Sequence, residues 1–149
     1  MWVIFEGLDK SGKGTLEWEL LKATNFKHIV IDRGPVGYLT FDKIFGRNTK
    51  LGDRDFIHYA RKIMKSNDYL IVYCVVNKKV AEERIKAHNE TCPYDYGKAQ
   101  KLYNDNICRY YKKDKVLRID TTENSIEDCV ALIIGKLLDM RWEVQKSEL

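Results

Sequence analysis

The sequence predicts an α/β fold: a three-layer sandwich in which a small, mostly parallel sheet of about four strands is flanked by helices. Two observations carry this expectation. Short β-branched or aromatic runs alternate along the chain with segments of helical apolar period, and the run YLIVYCVV, Tyr69 to Val76, is continuously apolar, as a strand covered on both faces must be. Alternation of this kind implies right-handed βαβ units, whose ligands gather beyond the carboxyl ends of the strands.

Four runs read as strands: Trp2 to Glu6, Lys27 to Asp32, Tyr69 to Val76 and Val116 to Asp120. Helical period marks Thr15 to Thr24 through Leu16, Leu20 and Ala23, and Asp53 to Lys65 through Phe56, Ala60 and Ile63. Lys79 to His88 carries a thin apolar edge of Val80, Ala81 and Ile85. The last helix opens on a capping-box pattern, Ser125 with Asp128, and holds its period from Ile126 to about residue 140. The two prolines, Pro35 and Pro93, are read as local turns.

With 149 residues, 44% of them hydrophobic, the chain is the size of one domain with its own core, and residues 1–149 are expected to form a single unit. No apolar run approaches the roughly 20 residues that span a bilayer, and Met1 leads into no basic-then-apolar leader, so a cytoplasmic protein without membrane contact is expected. Cys74, Cys92, Cys108 and Cys129 are widely spaced, which suggests free packing thiols and neither a zinc site nor a disulfide framework. A net charge of +4 suits an anionic ligand and falls short of the basic stripe of a nucleic-acid binder.

The segment FEGLDKSGKGTL, Phe5 to Leu16, has P-loop spacing between a strand and a helix. Gly7, Gly12 and Gly14 let backbone N–H groups, including that of Ser11, converge on phosphate oxygens, and Lys13 can reach the β and γ phosphates. The fold expected is thus a P-loop NTPase sandwich. Gly14 stands where many such loops place a magnesium-binding hydroxyl, and Thr15 follows it. Magnesium is expected with a nucleoside triphosphate because the transferring charge must be neutralised. Thr15 and Asp32 are the candidate groups on the metal side.

The loop resembles the F-E-G-x-D-x-x-G-K-x-T loop of thymidylate kinases and related phage-type deoxynucleoside monophosphate kinases. The resemblance places Asp9 near the acceptor sugar hydroxyl and aims Lys10 at the transferring phosphoryl group. The competing reading of Lys10 is a solvated loop lysine. HIVIDRGPVGY, His28 to Tyr38, is similar to the family's D-R-x motif, in which the residue at Arg33 binds the acceptor monophosphate. Gly37 replaces the family's serine, its base-binding glutamine is not evident around Thr40 to Asp42, and the elements usual between the loop and the D-R motif are missing between Thr15 and Asp32. Tyr38, Phe41 and Arg47 are therefore candidates to hold the acceptor, by stacking and by phosphate contact; the alternative is core packing with a surface arginine.

Tyr69 to Tyr111 is similar to the family's strand, helix, lid and second helix. Arg84 is then a lid-base arginine, and since His88 replaces a second one, Lys10, Lys86 or Lys98 is expected to act on the phosphates from a short lid around 86–98. Val116 to Asp128 resembles the strand and loop that flank adenine.

These implications converge on magnesium-dependent transfer from ATP to a deoxynucleoside monophosphate, thymidylate first, in nucleotide biosynthesis, with Lys13, Lys10, Arg33 and Asp32 as the catalytic set. The partners expected are small-molecule nucleotides, with room for a homodimer. Two alternatives stay open. One is a kinase of a nucleoside, a polynucleotide 5′ end or another small hydroxyl acceptor, with Asp32 as base; the other is a non-catalytic nucleotide-binding regulator.

Overall fold

A computed structural model describes residues 1–47, 53–66 and 68–147. The elements follow in the order β1 (Trp2–Glu6), α1 (Lys13–Ala23), β2 (Ile29–Asp32), α2 (Pro35–Ile44), α3 (Asp53–Ser66), β3 (Tyr69–Val75), α4 (Lys78–Ala87), α5 (Tyr96–Tyr110), a 3-10 turn (Lys113–Lys115), β4 (Val116–Asp120) and α6 (Ile126–Ser147). The strands form one parallel sheet in the order β2-β1-β3-β4. Every residue of β3 is buried, as its continuous apolarity predicts for a central strand.

One face of the sheet is covered by α1 and α6, through Leu16, Leu20, Ile133 and Leu137 against Val3, Phe5 and Val72. The other carries the α2–α5 side, where Val36, Phe41, Tyr103 and Ile107 pack on Ile4, Ile71 and Tyr73. Each fully buried side chain of this size contributes on the order of 2 kcal/mol, so the two layers offset the cost of ordering the chain.

Three boundaries move for physical reasons. β2 begins at Ile29 because its partner there is Trp2, where β1 itself begins, leaving Lys27 and His28 beyond the ladder. α1 starts at Lys13, two residues before the apolar period, because the loop's last turn is already helical. α6 runs on to Ser147, since no Gly or Pro stops it after residue 140. Half of the capping box forms: the Asp128 N–H donates to Ser125 Oγ at 3.1 Å, while the return contact to Asp128 Oδ2, at 2.8 Å, comes from the Ser125 hydroxyl and not from its backbone N–H.

α2 is an element that the apolar pattern does not reveal, and Pro35, read as a turn, is instead in its first turn. Proline suits that position, because its missing N–H is one that no helix pairs internally. Buried residues occupy most of the helix surface, Val36, Leu39, Thr40 and Phe41 among them, so no amphipathic stripe exists to be read. Among the described residues no helix is long and apolar enough to cross a membrane.

A candidate phosphoryl-transfer site

The phosphate loop, residues 7–12, leaves the end of β1 and enters α1, whose first N–H groups lack intrahelical partners and face the loop's concavity. Gly7 sits at φ 140°, and a β-carbon there would lie 2.3 Å from the carbonyl oxygen of Cys74, so the loop crosses β3 where only glycine fits. Its floor is tied to β4: Thr121 Oγ1 donates to the Ser11 carbonyl at 2.9 Å, and the Thr121 N–H to the Val75 carbonyl at 2.9 Å. Ser11 is buried in this floor, while Gly14 and Thr15 are exposed on the first turn.

Lys13 is 8% exposed and donates to the Leu8 carbonyl at 2.8 Å. Burial, and next the nearby Arg33 charge, hold its pKa below the ordinary lysine value. An anionic phosphate in the loop would offset both penalties by its charge, so this ammonium suits a negative partner.

Pairing of Phe5 with Asp32 brings the D-R motif beside the loop. Arg33 donates to Asp9 Oδ1 at 3.1 Å and lies over the Phe41 ring at 4.2 Å from its centroid. Lys10 and Arg33 both occupy the left-handed region, at φ 61° and 62°. For side-chain-bearing residues that conformation costs on the order of 1 kcal/mol, and the fold holds two cations in it side by side with the loop.

Asp32 is exposed at the strand end, with Glu17 of α1 against it. Burial foremost, then the Asp32 charge and hydrogen bond, push the Glu17 carboxyl well above the usual range. Two carboxyl groups crowded together in this way are a donor set that a divalent cation relieves, so Asp32 with Glu17 fits magnesium. Thr15 lies on the first turn of α1, lining the neighbouring cavity.

Tyr38, Phe41 and Arg47, the sequence's candidates to hold an acceptor, each meet a different neighbour, and Phe45 links the last two by stacking on Phe41 at 6.1 Å. Phe41 is buried and forms a wall under Arg33, Tyr38 is half exposed and stacks on Phe56 of α3 at 6.4 Å, and Arg47 lies over Phe45 at 4.7 Å. Tyr94 joins this aromatic group unannounced by the sequence. It meets Phe41 and Phe45 edge-on at 6.0 and 5.8 Å, and its hydroxyl donates to Asp9 Oδ2 at 3.2 Å. Tyr94→Phe would remove a donor from Asp9 and keep the aromatic wall.

Tyr94 belongs to the connection between α4 and α5, residues 88–95. Lys10 donates to Glu90 of this segment at 2.9 Å. Arg84 is half buried beneath it and donates to the Lys10 carbonyl at 3.0 Å and to the Thr121 carbonyl at 2.7 Å. Lys86 and Lys98 are exposed, and the Lys98 N–H serves the N-cap of α5 by donating to Asp95 Oδ1 at 3.0 Å. Between Arg84 and His88 on one side and Thr121, Asn124 and Ile126 on the other lies an open cavity of about 250 Å³ that reaches Gly12 and Thr15.

Glu6 is fully buried behind the loop, with Oε2 accepting from the Tyr103 hydroxyl at 2.5 Å and Oε1 from the Tyr111 hydroxyl at 2.7 Å. Burial raises its pKa to about 7, against the opposing hydrogen bonds and the Lys13 charge. A carboxyl that titrates higher when folded keeps its proton longer in the folded state. Its contribution is complete below the unfolded value near 4.5 and is lost as pH rises through about 7, a decline on the order of 3 kcal/mol. Urea unfolding from pH 5 to 8 is expected to show this loss in the wild type, and Glu6→Gln is expected to flatten it.

No known family's sequence model matches the chain, and no curated protein matches it in sequence. Solved structures do. The YorR protein of Bacillus subtilis, solved in complex with phosphorylated GDP, is similar with a TM-score of 0.78 at 17% identity, over 96% of this chain and 98% of that one. Deoxyadenosine kinase from M. mycoides with bound dCTP has a TM-score of 0.60 at 15% identity, over 93% of this chain and 100% of that one. Thymidylate kinase from Candida albicans has a TM-score of 0.50 at 10% identity, over 99% and 91% respectively. The four-stranded parallel sheet with its flanking helices is therefore the P-loop fold that deoxynucleoside and nucleotide kinases share.

Proposed function

We propose that the protein transfers the γ-phosphoryl group of magnesium ATP to a deoxynucleoside monophosphate, with thymidylate the first candidate. The observation that carries this reading is Arg33, a planar cation held over Phe41 and against Asp9 at the mouth of the phosphate loop. That position suits a phosphate that arrives from the acceptor side, since a guanidinium forks onto phosphate oxygens while the buried ring beneath it holds the guanidinium in place.

In this reading the loop N–H groups and Lys13 hold the donor phosphates, and Lys10 leaves Glu90 to meet the transferring group. Asp32 and Glu17 would hold magnesium, which would supply charge to neutralise the phosphates. The donor base enters the cavity between Arg84 and Asn124. Segment 88–95 acts as the lid, excluding water as Tyr94 closes on the acceptor. Asp9 orients the acceptor sugar. Catalysis is then positioning and charge stabilisation, with no covalent intermediate.

The crowded Glu17 and Asp32 carboxyls favour one second reading. A pair that retains a proton near neutral pH can serve as a base for a free hydroxyl, which suits a nucleoside or a polynucleotide 5′ end. ADP release is measured with magnesium ATP against the deoxynucleoside monophosphates, the nucleosides and a 5′-hydroxyl oligonucleotide. Turnover confined to monophosphates supports the proposal; turnover confined to nucleosides or the oligonucleotide replaces it, and silence throughout with intact ATP binding points to a regulator.

A further inference from the structure

Glu6 has no place in the chemistry described above. Among the described residues it is the one carboxylate with 0% exposure, it sits behind the loop, and it faces helix α2. Its carboxylate fills the space beneath the first turn of that helix: a β-carbon at Gly34 would lie 2.6 Å from Oε1, and one at Gly37 would lie 2.6 Å from Oε2. The Gly37 N–H donates to it, as do the hydroxyls of Tyr103 and Tyr111. The same turn carries Arg33, whose Cγ stands 2.6 Å from where the Gly37 β-carbon would be.

We propose that Glu6 is a positioning residue, which seats the N-terminal turn of α2 and so holds the Arg33 guanidinium at Asp9 and Phe41. A carboxylate suits the task because three donors converge on it and because it stands at the positive end of a helix. Its two oxygens join three elements, β1, α2 and α5, at one point. Two glycines in RGPVG then follow from packing: a β-carbon at Gly34 would meet Ile4 Cγ2 at 2.5 Å as well as the carboxylate, and one at Gly37 would meet the Tyr103 hydroxyl at 2.5 Å as well as the carboxylate.

The seat depends on charge. The titratable and charged groups facing Glu6 are Lys13 from α1, Arg33 from the turn before α2, Tyr73 from β3, and Tyr103 and Tyr111 from α5 and its end. When ionised, Glu6 accepts from all three donors. When protonated it must itself donate, and one of the three loses its acceptor. Acceptor affinity is therefore expected to weaken as pH falls through neutrality.

This proposal rests on the reading that Arg33 grips the acceptor phosphate, and the test separates the two. Glu6→Gln and wild type are compared with thymidylate and magnesium ATP from pH 6 to 8.5, and amide hydrogen exchange is followed at residues 33–38 without nucleotide. The expected result is an acceptor KM at least tenfold higher for Glu6→Gln at pH 8, with kcat and ATP KM within twofold. In the wild type the acceptor KM climbs below pH 7 more steeply than protonation of the thymidylate phosphate, with its second pKa of about 6, accounts for; in the variant only the phosphate's own titration remains. Exchange at 33–38 is faster in the variant.

A kcat loss equal to or larger than the KM change overturns the proposal, because it makes Glu6 part of the chemistry. So does an unchanged KM with unchanged exchange. If the wild type turns over no monophosphate, the reading of the function fails, and exchange alone then decides Glu6: faster supports the seat, unchanged removes it. Should Glu6→Gln not fold, Tyr103→Phe and Tyr111→Phe each remove one donor and leave the carboxylate. Either raises the acceptor KM if the seat is real, and an unchanged KM and exchange in both overturns it.

Discussion

Lys13→Ala is expected to lower acceptor-dependent ADP production by roughly 10²- to 10³-fold, the cost of removing one preorganised donor from developing charge. Lys13 is the cation most enclosed by the loop, at 8% exposure, and its bond to the Leu8 carbonyl holds it in place before any nucleotide arrives. A buried ammonium is costly unless a negative group faces it, so an anion is the partner that this position favours. Lys13→Arg is expected to fail nearly as badly, because the larger planar head does not fit a pocket shaped for a compact ammonium. Initial rates with saturating ATP check both variants, with unfolding midpoints recorded alongside to show that each chain folds.

Arg33→Ala is expected to raise the acceptor KM by roughly 10- to 100-fold, in line with the loss of a charge-assisted, forked contact to phosphate. The ATP KM should hold within twofold, since Lys13 and the loop N–H groups remain. Arg33→Lys keeps the charge and loses the fork and the stacking on Phe41, so it should fall between the two. A nucleoside acceptor has no phosphate for Arg33 to hold. If Arg33→Ala leaves the acceptor KM untouched, the monophosphate reading loses its main support.

Much of the fold was legible because its signals are local. The loop spacing, the all-apolar β3 and the Ser125–Asp128 cap each involve neighbours in sequence, and the first two took the form the sequence predicts, the cap half of it. Helix α2 escaped because it is buried on most of its surface and so lacks a periodic stripe. Strand β2 was drawn two residues long because its start is set by where β1 begins, a fact about the partner strand.

The site divides in the same way. Lys13 and the D-R pair could be read from spacing and from the carboxyl ends of two strands that proved to be neighbours. Glu6, Glu17 and Tyr94 could not: the contacts that define Glu6 come from Tyr103 and Tyr111, and those of Tyr94 from Asp9 and Phe41, all brought together by the sheet order. A glutamate at a strand end looks like any solvated edge residue. The pairing of Gly34 and Gly37 three residues apart was the one signal that something large lay beneath that turn.

The most direct test of the central claim follows the phosphoryl group itself. The protein is incubated with magnesium and ATP labelled at the γ-phosphate, together with each deoxynucleoside monophosphate in turn, and the products are separated. The account predicts label in a deoxynucleoside diphosphate, with thymidylate the first acceptor to examine, and none in Lys13→Ala. Label that stays in ATP or appears only as inorganic phosphate, from a protein that binds ATP, would contradict it.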